Sequence, residues 1–138
     1  MIVLDTNVIS EFTRPAPNLR VEAWLRGQSP ASLATTTVTE AEIFGGLVIM
    51  PDGKRKTALI RETQNLLGVF GDRIFPFDRD AAQIYPLIVL QRKVLGHMTG
   101  IADGQIAAIA RLHGAAVATR NTTHFAHCGI ELVNPWTD

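Results

Sequence analysis

The sequence has a single cysteine and no excess of charge of either sign. Because Cys128 stands alone among 138 residues, the chain cannot form an internal disulfide. Lys and Arg number 13, and Asp and Glu also number 13, so the formal net charge is zero. Proteins that bind DNA through surface charge have a clear basic excess, so this composition argues against a simple electrostatic DNA-binding protein.

Long hydrophobic runs and several familiar motifs are also missing. No stretch approaches the roughly 18 consecutive apolar residues of a membrane-spanning helix, and no basic segment of a secretory signal stands at the start. We therefore expect a cytoplasmic protein with no membrane partner. The absence of G-x-G-x-x-G, G-x-x-x-x-G-K-[ST] and G-x-S-x-G argues against a dinucleotide-binding domain, a P-loop enzyme and an α/β-hydrolase.

Short apolar runs alternate with helical patterns along the chain. Asn18 is placed to begin one helix, and Asp78 or Asp80 to begin another. The candidate strands are residues 2–4, 33–36, 74–75, 116–118 and 130–133. This alternation predicts an α/β fold, a three-layer α/β/α sandwich with a short-stranded, mainly parallel central sheet. Because no linker or repeat interrupts the pattern, we expect one domain over residues 1–138.

The helix after the second candidate strand has two possible caps. Thr39 with Glu42 fits a capping box, and Thr37 with Glu40 fits equally well. Asp52 is placed to cap the helix that follows.

Three carboxylates stand where a site forms in a parallel sheet. Asp5 directly follows the first strand, Glu42 lies on the helix after the second, and Asp103 lies near the start of a nearly uncharged helix. Because sites in such sheets form beyond the carboxyl ends of the strands, these three side chains can converge. Helix capping is the alternative role for Asp5 and Asp103.

Glu42 is followed by two glycines on the same helix face, Gly45 and Gly46. Each costs about 1 kcal/mol relative to Ala, so the pair indicates either close helix packing or open space beside Glu42. Glu40 points about 200° away from Glu42 around the helix, so at most one of the two glutamates enters a given site.

Three carboxylates without His or Cys partners favour Mg²⁺ or Mn²⁺ as the bound ion. They would repel one another without a cation, and a divalent cation can polarise a phosphodiester and activate water. Softer ligands occur at His124, His127 and Cys128, but a zinc site there would need a fourth ligand or a water. For these three residues we favour an exposed or packing role.

Several fragments, taken in order, resemble PIN-domain ribonuclease toxins of the VapC type, and especially their FitB-like branch. The likeness runs nearly end to end. The fragments that carry it are Met1–Glu11 (M-I-V-L-D-T-N-V-I-S-E), Arg14–Asn18, Ala41–Gly45, Phe77-Asp78, Ala102–Ala110, Val117–Phe125 and Asn134–Trp136.

The resemblance implies a PIN-like fold and a Mg²⁺- or Mn²⁺-dependent endoribonuclease. The catalytic, metal-binding residues that it implies are Asp5, Glu42 and Asp103. Thr6 and Asn7 match a D-T-N signature in which Asn7 supports Asp5, and Asn121 matches a polar residue close to the metal. The implied partners are an RNA substrate, a cognate antitoxin and a second toxin copy, in a hetero-oligomer that binds DNA through the antitoxin.

The sequence departs from the family pattern at His124, where members usually have an acidic residue. A histidine can still bind Mn²⁺ or orient water, but the departure affects the number of metals and the activity that we expect. The alternative function is therefore a catalytically weakened PIN fold that binds RNA or a partner protein.

Overall fold

A computed structural model describes residues 1–138, with a five-stranded sheet at its centre. The strands are β1 (Ile2–Leu4), β2 (Leu33–Thr36), β3 (Ile74–Phe75), β4 (Ala116–Ala118) and β5 (Leu132–Val133). Their order is β3-β2-β1-β4-β5, and every neighbouring pair is parallel. In the central strand, Val3 pairs with Ala34 on one side and with Val117 on the other. The predicted parallel sheet is confirmed, and the fifth strand is shorter than the predicted 130–133.

Helices connect the strands and cover both faces of the sheet. They are α1 (Thr6–Glu11), α2 (Leu19–Arg26), α3 (Thr37–Val48), α4 (Lys54–Phe70), α5 (Arg79–Val94), α6 (Ile101–Leu112) and α7 (Thr122–Phe125), with short 3₁₀ turns at Pro30–Ser32 and Gly71–Arg73. None of the helices is long and apolar enough to cross a membrane.

The alternation of side chains along β1 divides the core into two clusters. Val3 packs with Ile106 of α6 and Phe125 of α7, whereas Leu4 packs with Val8 of α1 and Phe70 of α4. Because successive residues of a strand point to opposite faces, these clusters lie on opposite sides of the sheet. The three-layer arrangement predicted from the sequence is therefore present.

Two predicted caps are confirmed. The Asn18 side chain accepts hydrogen bonds from the backbone N–H groups of Arg20 and Val21, and Asp78 accepts one from Ala81 N–H at 2.9 Å. Asp78, rather than Asp80, therefore begins α5.

The predicted start of α3 is wrong for both alternatives. Its cap is Thr36, the last residue of β2, whose hydroxyl accepts a hydrogen bond from Thr39 N–H at 3.0 Å. The chain passes from strand to helix without a loop, so the capping position falls one residue before Thr37. The Asp52 prediction is also wrong: Gly53 is the cap of α4, and Asp52 instead pairs with Lys56 at 3.0 Å.

Candidate active site

A polar cavity of about 400 Å³ opens where β1 and β4 end. Six of the residues that line it were predicted as site residues: Asp5, Thr6, Asn7, Glu42, Asp103 and Asn121. They come from α1, α3, α6 and the segments after β1 and β4, so the fold brings together side chains up to 116 positions apart. The three carboxylates Asp5, Glu42 and Asp103 therefore line the same cavity.

Asp5 lies at the bottom of this cavity with only 4% of its surface exposed. Its Oδ1 accepts a hydrogen bond from Thr6 N–H at 2.8 Å, so it also caps α1. Its Oδ2 accepts bonds from the Thr119 hydroxyl at 2.7 Å and from Asn7 Nδ2 at 3.5 Å. Capping and placement in the site, which were alternatives for Asp5, are therefore combined in one side chain.

Burial raises the pKa of Asp5 above its ordinary value of 3.8. The nearby carboxylates of Asp103 and Glu42 act in the same direction, whereas the hydrogen bonds from Thr119 and Thr6 oppose the change in pKa. Burial is the largest of these effects. A cation in the cavity would favour the ionised form of this carboxyl.

Glu42 reaches the cavity from α3. Its Oε1 accepts a hydrogen bond from the Thr6 hydroxyl at 2.7 Å, which links α3 to α1. Glu40 does not line the cavity, as expected from its position on the helix. A Cβ atom built on Gly45 or Gly46 would meet nothing within 4 Å. Of the two explanations for these glycines, the structure shows open space rather than close packing.

Asp103 lies in the first turn of α6, where the helix dipole favours a carboxylate. Its Oδ2 lies 3.2 Å from Nδ1 of His124 on α7. The next residue, Gly104, is buried so closely that an added Cβ would lie 2.6 Å from the Tyr85 ring. This close approach of α6 to α5 fixes the helix turn that carries Asp103.

A second layer of hydrogen bonds orients the acidic residues. The Thr119 hydroxyl, which donates to Asp5, accepts a bond from the backbone N–H of Asn121 at 3.0 Å. Asn7 accepts a bond from Arg120 N–H at 3.2 Å through its Oδ1. The segment after β4 is thereby tied to the segment after β1.

The donors in the cavity suit a hard divalent cation. Asp5, Glu42 and Asp103 offer carboxylate oxygens, the ligands that Mg²⁺ and Mn²⁺ prefer. No three His, Cys, Asp or Glu side chains are grouped closely enough to hold an ion between them. The three carboxylates thus share one cavity without close contact between them.

The tail segment does not form a zinc site. His127 stacks on His97 with 5.4 Å between ring centres, and His124 contacts Asp103. Cys128 is buried, and burial raises the pKa of its thiol, which disfavours the thiolate that a metal requires. His127 and Cys128 therefore have the exposed or packing roles favoured for them, whereas His124 contacts a site residue.

Five further lining residues are not among the predicted site residues: Ser10, Glu11, Arg14, Arg120 and Trp136. Glu11 is buried and accepts hydrogen bonds from Arg14 Nη1 and Asn18 N–H, each at 2.9 Å. The spacing of Glu11 and Arg14 is a signal for such a pair. For Trp136 no spacing or periodicity gives such a signal, because its position depends on the turn after β5.

Comparison with known proteins agrees with this architecture. The PIN-domain family profile matches residues 2–130. VapC ribonuclease Y4jK from Sinorhizobium fredii is 43% identical over 137 residues, which cover 99% of this chain and 98% of the relative. Toxin FitB from Neisseria gonorrhoeae is 43% identical over the full length of both chains. In a solved structure of FitAB bound to an IR36 DNA fragment, one chain has a TM-score of 0.95 and 42% identity, covering 100% of this chain and 97% of that one.

The chain therefore belongs to the PIN-domain family. Within the family, the relatives just described place it with the VapC and FitB proteins, as the sequence fragments indicated.

Proposed function

We propose that this chain is the toxin of a toxin–antitoxin system and acts as a Mg²⁺- or Mn²⁺-dependent endoribonuclease that inhibits growth. The observation that carries the proposal is that Asp5, Glu42 and Asp103 line one polar cavity at the carboxyl edge of the sheet. The similarity to a VapC ribonuclease supports RNA as the substrate class, and the similarity to toxin FitB supports a toxin.

In this proposal, Asp5, Glu42 and Asp103 are the catalytic residues that hold the metal. When bound, Mg²⁺ or Mn²⁺ supplies positive charge for the scissile phosphate and lowers the pKa of water for attack on phosphorus. Asp5 is held in place by donors on both of its oxygens, and the Thr6 hydroxyl orients Glu42. Thr6, Asn7 and Asn121 thus act as supporting residues.

His124 has a supporting role of a different kind. Its Nδ1 lies 3.2 Å from the Oδ2 atom of Asp103. The sequence resemblance implies an acidic residue at this position. Because position 124 supplies an imidazole and not a carboxylate, the contact favours a role for His124 in orienting Asp103. It disfavours a second metal ion held by a full set of carboxylates. It is also the observation that supports the second candidate function, a weakened site that binds RNA or a partner without cutting RNA.

We infer the partners from the similarity to the VapC and FitB proteins. A cognate antitoxin would bind the toxin and carry the DNA contact, in keeping with a FitAB relative that is bound to DNA. A second toxin copy would complete a homodimer, and its support is the exposed apolar face of α5. We place the activity in the cytoplasm and assign it to residues 1–138 acting as one domain.

The test uses purified chain, freed of metal with EDTA, and a labelled single-stranded RNA. We expect cleavage with added Mn²⁺ or Mg²⁺ and none in EDTA. Glu42→Gln keeps the shape of the side chain and removes its charge, so it should lower the cleavage rate by at least about 100-fold.

Glu40→Gln is the matched control, because Glu40 lies on the same helix but does not line the cavity. It should cleave RNA at the wild-type rate. Equal cleavage with and without EDTA would contradict the metal requirement. RNA binding without cleavage in every divalent ion would favour the binding module instead.

A further inference from the structure

One part of the cavity wall differs in chemistry from the carboxylates. Trp136 is the single apolar residue among the eleven that line the cavity. The guanidinium carbon of Arg120 lies 5.4 Å from the centre of the Trp136 ring, which is within the range of a cation–π contact. The cavity therefore combines an acidic centre with an arginine–indole pair.

The backbone holds both members of this pair in place. Arg120 directly follows Thr119, the residue that donates to Asp5, and its own N–H donates to Asn7 Oδ1. Trp136 N–H donates to Asn134 Oδ1 at 3.0 Å, and the half-buried indole packs against the core cluster that contains Leu4. The pair is thus positioned relative to the carboxylates before any ligand binds.

The charge of Arg120 has no carboxylate partner. The chain forms three ion pairs between Arg or Lys and a carboxylate, and Arg120 takes part in none of them. Arg14, the other arginine of the cavity, pairs with Glu11 at 2.9 Å. A guanidinium stacked on an aromatic ring keeps its N–H groups free at its edge, where they can bind phosphate oxygens.

From these contacts we infer that Arg120 and Trp136 form a binding platform for one nucleotide of a single-stranded RNA beside the carboxylates. Arg120 takes a phosphate oxygen, and the base stacks against the Trp136–Arg120 pair. The assignment to RNA rests on the proposed function. Bases in a duplex are stacked on one another and are not available, so the platform selects unpaired RNA.

The neutral charge of the chain fits this mode of binding. A surface without a basic excess gains little from the phosphate backbone as a whole, so affinity depends on a few local contacts. Aromatic stacking tolerates any base, because every base has a flat face. The platform therefore positions the substrate without by itself specifying its sequence.

The test uses the fluorescence of Trp136. The chain has two tryptophans, and Trp24 does not line the cavity, so Trp24→Phe leaves Trp136 as the reporter. A single-stranded oligoribonucleotide is added with Ca²⁺ as the divalent ion. We expect saturable quenching, weaker quenching by the same sequence as a duplex, and none in Trp136→Phe, where Trp24 is the reporter.

Arginine variants test the second half of the platform. Arg120→Ala should weaken RNA binding about 5- to 150-fold, the range that corresponds to one stacking contact, and Arg120→Lys should restore part of that loss. Arg61→Ala, which removes an exposed arginine on α4, should bind as the wild type does. Because Arg120 is exposed, these variants do not depend on refolding of the core around the indole.

The outcomes separate this inference from the proposed function. RNA cleavage without quenching of Trp136, or equal losses in Arg120→Ala and Arg61→Ala, would overturn the platform and leave the nuclease intact. Quenching without cleavage in Mn²⁺ would leave the platform standing and refute the nuclease.

Discussion

Asp5 illustrates how a single residue serves both the fold and the site. It caps α1 through Oδ1, receives the Thr119 hydroxyl at Oδ2 and stays almost completely buried. Burial makes its charge costly, and the carboxylates of Asp103 and Glu42 add repulsion. Without a cation the folded chain carries this cost, and binding of a cation would relieve it.

This cost predicts how stability depends on pH. Because the folded pKa of Asp5 is raised above 3.8, the folded chain keeps the proton at pH values where the unfolded chain has lost it. Ionised Asp5 therefore opposes folding at neutral pH, and the penalty disappears as the pH falls below 3.8. In EDTA, Asp5→Asn should raise the Tm by a few degrees at neutral pH, with the gain shrinking as the solution is acidified.

Thermal unfolding followed by circular dichroism at a series of pH values measures this difference. Carboxyl groups outside the cavity are the same in both proteins, so the difference reports on Asp5 and its interaction with Asp103 and Glu42. A gain that is constant with pH would contradict the assignment. Added Mn²⁺ should reverse the order, because only the wild type then gains the full stabilisation from the ion.

His124 gives a second prediction at this scale. His124→Asp places another carboxylate beside Asp103, so we expect a lower Tm in EDTA and a larger rise of Tm with Mn²⁺ than in the wild type. Thr123→Asp is the control, because this exposed neighbour on α7 does not contact Asp103. Equal responses of the two variants to Mn²⁺ would show that position 124 lies outside the reach of the ion.

The acidic residues of the cavity could be predicted from the sequence, because Asp5 directly follows a strand, Asp103 lies near a helix start and Glu42 lies on the helix that follows β2. The contact between Arg120 and Trp136 could not be predicted, because it depends on the turn that follows β5. Arg92 is a similar case: its buried guanidinium donates to Thr99 Oγ1 and to backbone carbonyls of Met98 and Ala126. Its neighbours are loop atoms, which no helix or strand periodicity reveals.

At the scale of elements, strands and helix faces were predictable, and some helix starts were not. Asn18 and Asp78 cap helices that begin after loops, where the local side chain decides the first turn. The start of α3 is instead set by the sheet, because β2 ends at Thr36 and the helix follows at once. A tertiary constraint there overrides two locally plausible capping boxes.

Two helix glycines with opposite surroundings allow a direct test of element packing. In Gly104→Ala the new Cβ would lie 2.6 Å from Tyr85 Cε2 and 2.9 Å from Thr99 Cγ2, so we expect a loss of about 1–3 kcal/mol. In Gly45→Ala the new Cβ meets nothing within 4 Å, so the helix should gain about 1 kcal/mol.

Urea denaturation of both variants beside the wild type provides the free energies of unfolding. Each variant adds one methyl group at a helix position, so the change in helix propensity is the same in both. Only the packing around the new methyl group differs. Similar effects of both substitutions would show that α5 and α6 tolerate separation at Gly104. Activity should also fall in Gly104→Ala, because the adjoining Asp103 shares its turn.

At the scale of the whole molecule, zero net charge and exposed apolar residues act together. Leu87, Leu90 and Val94 are exposed and, at spacings of three and four, share one face of α5. A neutral chain gains little protection from association by charge repulsion. The proposed homodimer would bury this face and leave the acidic cavity to the substrate.

The face on α5 predicts a change of oligomeric state. Leu90→Glu places a charge at the centre of the exposed apolar row, and burying that charge in a dimer is unfavourable. We expect the wild type to elute as a dimer in size-exclusion chromatography with light scattering, and Leu90→Glu to raise the dimer Kd at least about 10-fold. Leu19→Glu is the control, since Leu19 is 79% exposed and lies on α2. If Leu19→Glu dissociated the dimer as strongly as Leu90→Glu, the α5 face would not be the dimer contact. General charge repulsion would then explain both results.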